Sequence, residues 1–209
     1  MMKRFCCVLG LAFLAVAPAQ AVVVTGSLTG GTALSNGGVF QIVTPGPGFT
    51  VGGNDFGDNN VRAFNEQQGV TLLTDLAVRG GVIAAGTRVN SHFLVFDPST
   101  SRRAIGSVTL SERILGVATT RNLLNGSNFL GLSQVTYNFG NSSGLEGNDI
   151  VTFAGDMLSF DLSASSPSDS IRILTAVPEP ASWTMLIAGF GLVGAAARRR
   201  RTAEPHVIA

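Results

Sequence analysis

Met157-Leu158-Ser159-Phe160-Asp161-Leu162-Ser163 alternates apolar and polar residues. Successive side chains of a strand point to opposite faces, so Leu158, Phe160 and Leu162 share one face and the polar set the other. This is the pattern of an antiparallel strand with one dry and one wet side. His92-Phe93-Leu94-Val95-Phe96 is apolar on both faces and ends at Asp97-Pro98, which marks a central strand. Outward from these two, further segments rich in β-branched and aromatic residues lie at 22–28, 39–43, 61–64, 70–78, 103–110, 113–119, 134–139, 150–153 and 170–174. Gly, Asn, Asp, Ser or Pro separates most of them. No segment before Pro178 carries a 3.6-residue apolar period, and no fixed-period repeat points to a solenoid or propeller. The expectation is an all-β chain with one β-sandwich over 22–177, jelly-roll-like topologies included, rather than a barrel. Residues 163–168, Ser-rich and followed by a renewed apolar strand, read as a hairpin loop.

The two ends have a different character. Lys3 and Arg4 precede an apolar run over 5–17 and the triplet Ala19-Gln20-Ala21. A basic start, a short apolar core and an Ala-x-Ala box make a secretory signal peptide, with cleavage at Ala19 and Ala21 and export before Val22 through the Sec machinery. Both cysteines, Cys6 and Cys7, lie inside that segment. The exported chain therefore has no thiol, and its stability must come from packing.

At the other end, Val177-Pro178-Glu179-Pro180-Ala181-Ser182-Trp183 opens a run of fifteen uncharged residues, 183–197, which stops at Arg198, Arg199, Arg200 and Arg201. As a helix that run spans roughly 22 Å, against about 30 Å for a bilayer core. It is a short span, made workable by Trp183 at one interface and the arginines at the other. The arginines would stay cytoplasmic, leaving everything before Pro178 outside the inner membrane. Pro178 and Pro180 hold their neighbours extended and keep Pro-Glu-Pro open to a protease. Gly189-Phe190-Gly191-Leu192-Val193-Gly194 matches a dinucleotide fingerprint only formally, because no βαβ unit surrounds it and the chain ends fifteen residues later. Small residues that let helices approach in lipid explain it better.

The Pro-Glu-Pro motif, the tryptophan three residues on, the Gly/Ala-rich helix and the arginine cluster together resemble the PEP-CTERM sorting signal of Gram-negative bacteria. The resemblance covers 178–201 and leaves 202–209 as a polar tail. It implies recognition and cutting by an exosortase-type enzyme, transient anchoring in the inner membrane, and delivery to the cell surface or its polysaccharide. Segments 64–72 and 86–98 likewise resemble parts of β-rich exported proteins that carry the same signal; that likeness implies no activity.

Without its ends, the chain from 22 to 177 has eight arginines, no lysine and eleven acidic residues, a net charge of −3. The basic footprint of a nucleic-acid binder is absent. Two loops are dense in oxygen ligands. Gly52-Gly53-Asn54-Asp55-Phe56-Gly57-Asp58-Asn59-Asn60 suits calcium, with Asp55 and Asp58 as ligands, and suits a long turn at least as well. The segment 141–149 is similar, and Glu146 and Asp149 would complete a calcium site if the two loops met.

No catalytic constellation emerges. His92 is the one histidine between 22 and 177, which excludes a multi-histidine zinc site there. Ser91 and His92 are neighbours on a strand and point to opposite faces, so they do not pair as nucleophile and base. An acid/base pair of His92 with Glu66 or Asp97 is weaker than a structural histidine. The sequence points to a non-enzymatic, structural or adhesive surface protein associated with polysaccharide; a calcium-dependent carbohydrate-binding module is the alternative.

Overall fold

The computed structural model describes residues 21–140, 142–177, 189–194 and 198. The chain divides into two units, Gln20–Pro178 and a second comprising Met1–Ala19 with Glu179–Ala209. All strands among the described residues belong to the first.

In chain order these are β1 (Val23–Gly30), β2 (Phe40–Ile42), β3 (Phe49–Val51), β4 (Val61–Asn65), β5 (Val70–Thr71), β6 (Leu76–Val78), β7 (Gly81–Ile83), β8 (Arg88–Phe96), β9 (Arg102–Leu110), β10 (Ile114–Ala118), β11 (Val135–Tyr137), β12 (Ile150–Ala154), β13 (Met157–Ala164) and β14 (Asp169–Ala176). Two short helices, α1 (Gly31–Ser35) and α2 (Arg121–Gly126), and a 3-10 turn at Asn128–Leu130 interrupt them. A four-stranded sheet runs β1-β9-β13-β12, and a larger sheet runs β10-β14-β8-β4-β2 with β5 also paired to β8.

The opening heptad behaves as its alternation requires. Leu158, Phe160 and Leu162 on β13 are buried in one cluster with Val108 of β9 and with Leu94, Phe96, Ile171 and Ile173 of the larger sheet. The inner faces of the two sheets thus meet. Both neighbours of β8 are strands, and its residues 89–96 are buried throughout. Its second face is covered by a further layer: Phe93 and Val95 pack with Phe64, Val51, Leu124, Val135 and Phe139. Val89 and, from β14, Leu174 pack with Leu72, Leu76, Val78, Ile83 and Leu130. A strand with two dry faces needs a layer on each, which the connections supply.

The structure departs from the sequence expectations in four places. The segment 70–78 is two strands, because after Leu72 turns into the core the chain bends, leaving Leu73 exposed, and Asp75 accepts a hydrogen bond from Ala85 N (2.8 Å) to close the β6–β7 hairpin. Residues 165–168 are not a hairpin loop; they carry the chain from the small sheet to the large one, so that β13 and β14 face each other across the core. Helices α1 and α2 are too short to show a period; α2 begins where the Thr120 side chain accepts from Leu123 N. Finally, β2–β4 and β3–β11 are parallel pairs, unlike the wholly antiparallel sheets of a jelly roll.

Candidate functional site

Strand β14 runs to Ala176, so Val177 alone separates the second strand of the large sheet from Pro178. Of the expected sorting residues, Pro178, Glu179, Pro180, Trp183, Arg199, Arg200 and Arg201 lie outside the described residues, as do Ala19 and the polar tail. Residues 189–194 and 198 are helical, with Phe190, Leu192 and Val193 exposed. No helix among the described residues is long and apolar enough to cross a membrane. Ala21 is buried and Val22 N donates to Ser111 Oγ at 3.0 Å.

The two oxygen-rich loops do lie side by side. Ser143 Oγ, from the second loop, donates to Gly52 O of the first (2.6 Å). Their carboxylates are engaged locally. Asp55 accepts from Thr50 Oγ1 (2.6 Å) and Gly53 N (2.9 Å). Asp58 takes both arms of the Arg62 guanidinium (2.9 and 2.5 Å) and the Asn60 amides. Arg62 and Asn60 hold the Asp58 carboxyl below its ordinary range, against the opposing effect of burial. Asp149 staples its own loop by accepting from Glu146 N (2.6 Å) and Ser163 N (2.8 Å). Glu146 is exposed, on a groove it shares with Thr120, Asn122 and Ser142. Among the described residues no three His, Cys, Asp or Glu side chains are grouped so as to hold one metal ion.

Two buried carboxylates at these loops were not singled out as ligands from the sequence. Asp97 Oδ2 accepts from Asp55 N (2.5 Å) and Phe56 N (2.7 Å), fixing the 52–60 loop, while its Oδ1 has no partner. Burial raises its pKa. Asp169, 3% exposed, has an unpartnered Oδ2. Burial, with Asp149 and Glu146 adding repulsion, pushes it up to about 8. The sequence signal for both was slight: an acid at the end of an otherwise apolar strand.

The most completely bonded polar group is elsewhere, between β14, β4 and the α2 region. Arg172 and Glu66 have fully buried side chains. Arg172 Nε donates to Glu66 Oε2 (2.7 Å) and Nη2 to Oε1 (2.9 Å). Nη1 donates to Leu124 O (3.0 Å) and Ser127 Oγ (2.9 Å), and Ser91 Oγ donates to Glu66 Oε2 (2.5 Å). The guanidinium carbon lies 5.5, 5.1 and 6.0 Å from the ring centroids of Phe93, Tyr137 and Phe139. Burial and the nearby Glu66 carboxylate drive the Tyr137 phenol far above its ordinary pKa. Ser91 therefore serves this ion pair. His92 faces the other way: Nδ1 lies 2.8 Å from Asn65 Oδ1 and Nε2 3.1 Å from Thr175 Oγ1. Asn65 Oδ1 also accepts from Val23 N, so Nδ1 carries the proton and Nε2 accepts from Thr175. Burial holds the ring neutral, with its pKa lowered to about 4. The bonded partners of His92 are thus Asn65 and Thr175, neither of the acids weighed for it.

The outer face of the small sheet is the other feature of size. Thr29, Ser107, Thr152 and Ser159 line a shallow groove of about 420 Å³ together with Ile105, Ile150 and Met157. Arg103 and Asp161 form a two-pronged ion pair (2.7 and 2.6 Å) on this face.

A family model described as the PEP-CTERM protein-sorting motif matches residues 176–201. The chain thus carries a signal for export and sorting to the cell surface by an exosortase-type enzyme. Comparison with curated proteins and with solved structures found no match.

Proposed function

We propose that the β-rich unit is the exported product, a non-enzymatic structural or adhesive protein of the cell surface or extracellular matrix that associates with polysaccharide. The observation that carries this reading is the sorting motif placed immediately behind β14. Cutting near Pro178 to Pro180 leaves every strand of the unit in place, so processing releases a finished domain. The hydroxyl-lined outer face of β9, β12 and β13 offers donors and acceptors at strand spacing to sugar hydroxyls, with aliphatic side chains between them. The non-catalytic reading is supported by His92 and Ser91 being committed to buried structural bonds. In the anchored state the arginine cluster lies on the cytoplasmic side and the β-rich unit outside.

Mass spectrometry of the C-terminus in surface material tests processing. Loss of Arg198 to Arg201 is expected; their retention in mature surface protein refutes it. Replacing Pro178 and Pro180 by alanine should leave the full-length chain at the inner membrane.

A calcium-dependent carbohydrate-binding module is the second reading. What favours it is Asp169, whose buried unpartnered oxygen lies within electrostatic reach of Asp149 and Glu146. Calcium titration by calorimetry, followed by a glycan array with and without calcium, separates the two; unchanged thermal stability in calcium counts against the second.

A further inference from the structure

Strand β12 ends the small sheet, and among the described residues one of its two backbone edges has no strand beside it. Among the described residues, the other ends of the two main sheets are guarded. Two register shifts break β1, and Val23 N is taken by Asn65. Only three residues make up β2. The β6–β7 hairpin covers β10, with Arg79 N donating to Val117 O and Val78 packed on Gly116. By contrast, β12 pairs with β13 in unbroken register, from Ile150 opposite Asp161 to Ala154 opposite Met157. It carries no charge, no proline and no bulge, the usual devices that keep an edge from pairing. Ile150 is 57% exposed and Phe153 40%, and Thr152 and Ala154 are exposed as well.

From this edge we infer that the protein self-associates, β12 pairing antiparallel with β12 of a second copy about a two-fold axis at Thr152. In that register Ile150 faces Ala154, Val151 faces Phe153 and Thr152 faces its own counterpart. Val151 and Phe153 lie on the core side, so each copy's Phe153 covers the other's Val151 and the two small sheets become one continuous sheet of eight strands. The flanking charges agree with this choice. Asp149 falls opposite Gly155 and Asp156 opposite Asn148, so no acid meets an acid. Shifting the axis to Val151 or Phe153 shortens the apolar overlap, and with the axis at Phe153 it sets Ile150 against Asp156. The second copy fits better than a foreign strand because the edge complements itself, as a two-fold interface must. A five-residue strand pair covers well under the roughly 1,600 Å² of a standard interface, so the dimer is weak and concentration-dependent. This inference rests on the backbone edge of β12 and is read out as association without sugar, whereas the polysaccharide reading concerns the outer face of the sheet, which Ile150 and Thr152 also line.

Sedimentation equilibrium of the full chain in mild detergent, over a hundredfold range of concentration, is the first test. A monomer–dimer equilibrium is expected, weakened at least tenfold by Thr152→Lys, which sets two ammonium groups face to face at an exposed site. In a Cys6→Ser, Cys7→Ser background, Thr152→Cys should form a disulfide-linked dimer under mild oxidation, because directly opposed side chains sit at bridging distance. Ser163→Cys, on the same face of β13, should not. A chain that stays monomeric throughout, one whose association ignores Thr152→Lys, or one recovered with another protein's strand on this edge overturns the inference.

Discussion

Replacing Glu66 by glutamine is the sharpest probe of the interior. The change keeps the shape of the side chain and removes its charge, stranding the Arg172 guanidinium in a fully buried site. Glu66 accepts three hydrogen bonds, two at Oε2 and one at Oε1. The less costly amide orientation puts the new NH2 where Oε1 was, so that it meets Arg172 Nη2 donor to donor. Breaking a buried pair from one side costs about 3–5 kcal/mol. The rings of Phe93, Tyr137 and Phe139 still face the cation and soften the loss, so a value near the lower end, about 3 kcal/mol, is expected. For a domain of this size that lowers Tm by roughly 6–12 °C. Urea denaturation at pH 7 beside a thermal scan reads both. The double variant Glu66→Leu, Arg172→Met should recover part of the loss, since an apolar pair strands no charge and leaves only the Ser91 hydroxyl to lose its acceptor. A Glu66→Gln protein within 1 kcal/mol of the parent, or a double variant worse than both singles, refutes the account.

Three further outcomes follow from the same structure. The raised pKa of Asp169, about 8 against 3.8, means that the folded state holds an extra proton between those values, so stability falls as pH rises from about 4 to 8. Asp169→Asn should remove that slope and stabilise the protein at pH 9 by up to about 5 kcal/mol, less whatever water entry relieves; equal slopes in variant and parent sink the idea. His92 works in the opposite sense. With its pKa lowered from 6.5 to about 4, stability is lost as pH falls through that window, by at most about 3 kcal/mol, and His92→Gln should flatten the acid limb of a denaturation series even if its baseline drops. Gly106→Ala should cost at least about 1–3 kcal/mol, because its Cβ would lie 2.2 Å from Ser27 O and 2.7 Å from the Phe160 ring, wedging β1 off β9; amide exchange in residues 26–28 would report it.

Strand identity was legible where burial is one-sided or two-sided along a whole strand. The alternation of β13 and the continuous apolar run of β8 record local periodicity against a core, and the structure buries them accordingly. The targeting end was legible for a related reason: a sorting motif is read as a linear string, and 176–201 matches as one. The short helices were invisible because five or six residues cannot express a 3.6-residue period. The oxygen-rich loops were ambiguous because the carboxylates and glycines that would bind a cation also close turns. Asp55, Asp58 and Asp149 each accept hydrogen bonds within their own loops, which is the turn-closing role.

What the sequence determined by itself was which segments form strands, which of their faces are dry, and that the C-terminal end carries an address, since each rests on neighbours a few residues apart. Tertiary structure alone decided the partners. Glu66 and Arg172 are 106 residues apart, and a buried guanidinium in the strand Asp169–Ala176 is tolerable only because the path of β4 brings a carboxylate to it. The unguarded edge of β12 is of the same kind: whether a strand ends a sheet depends on what the rest of the chain lays beside it, which no local pattern encodes.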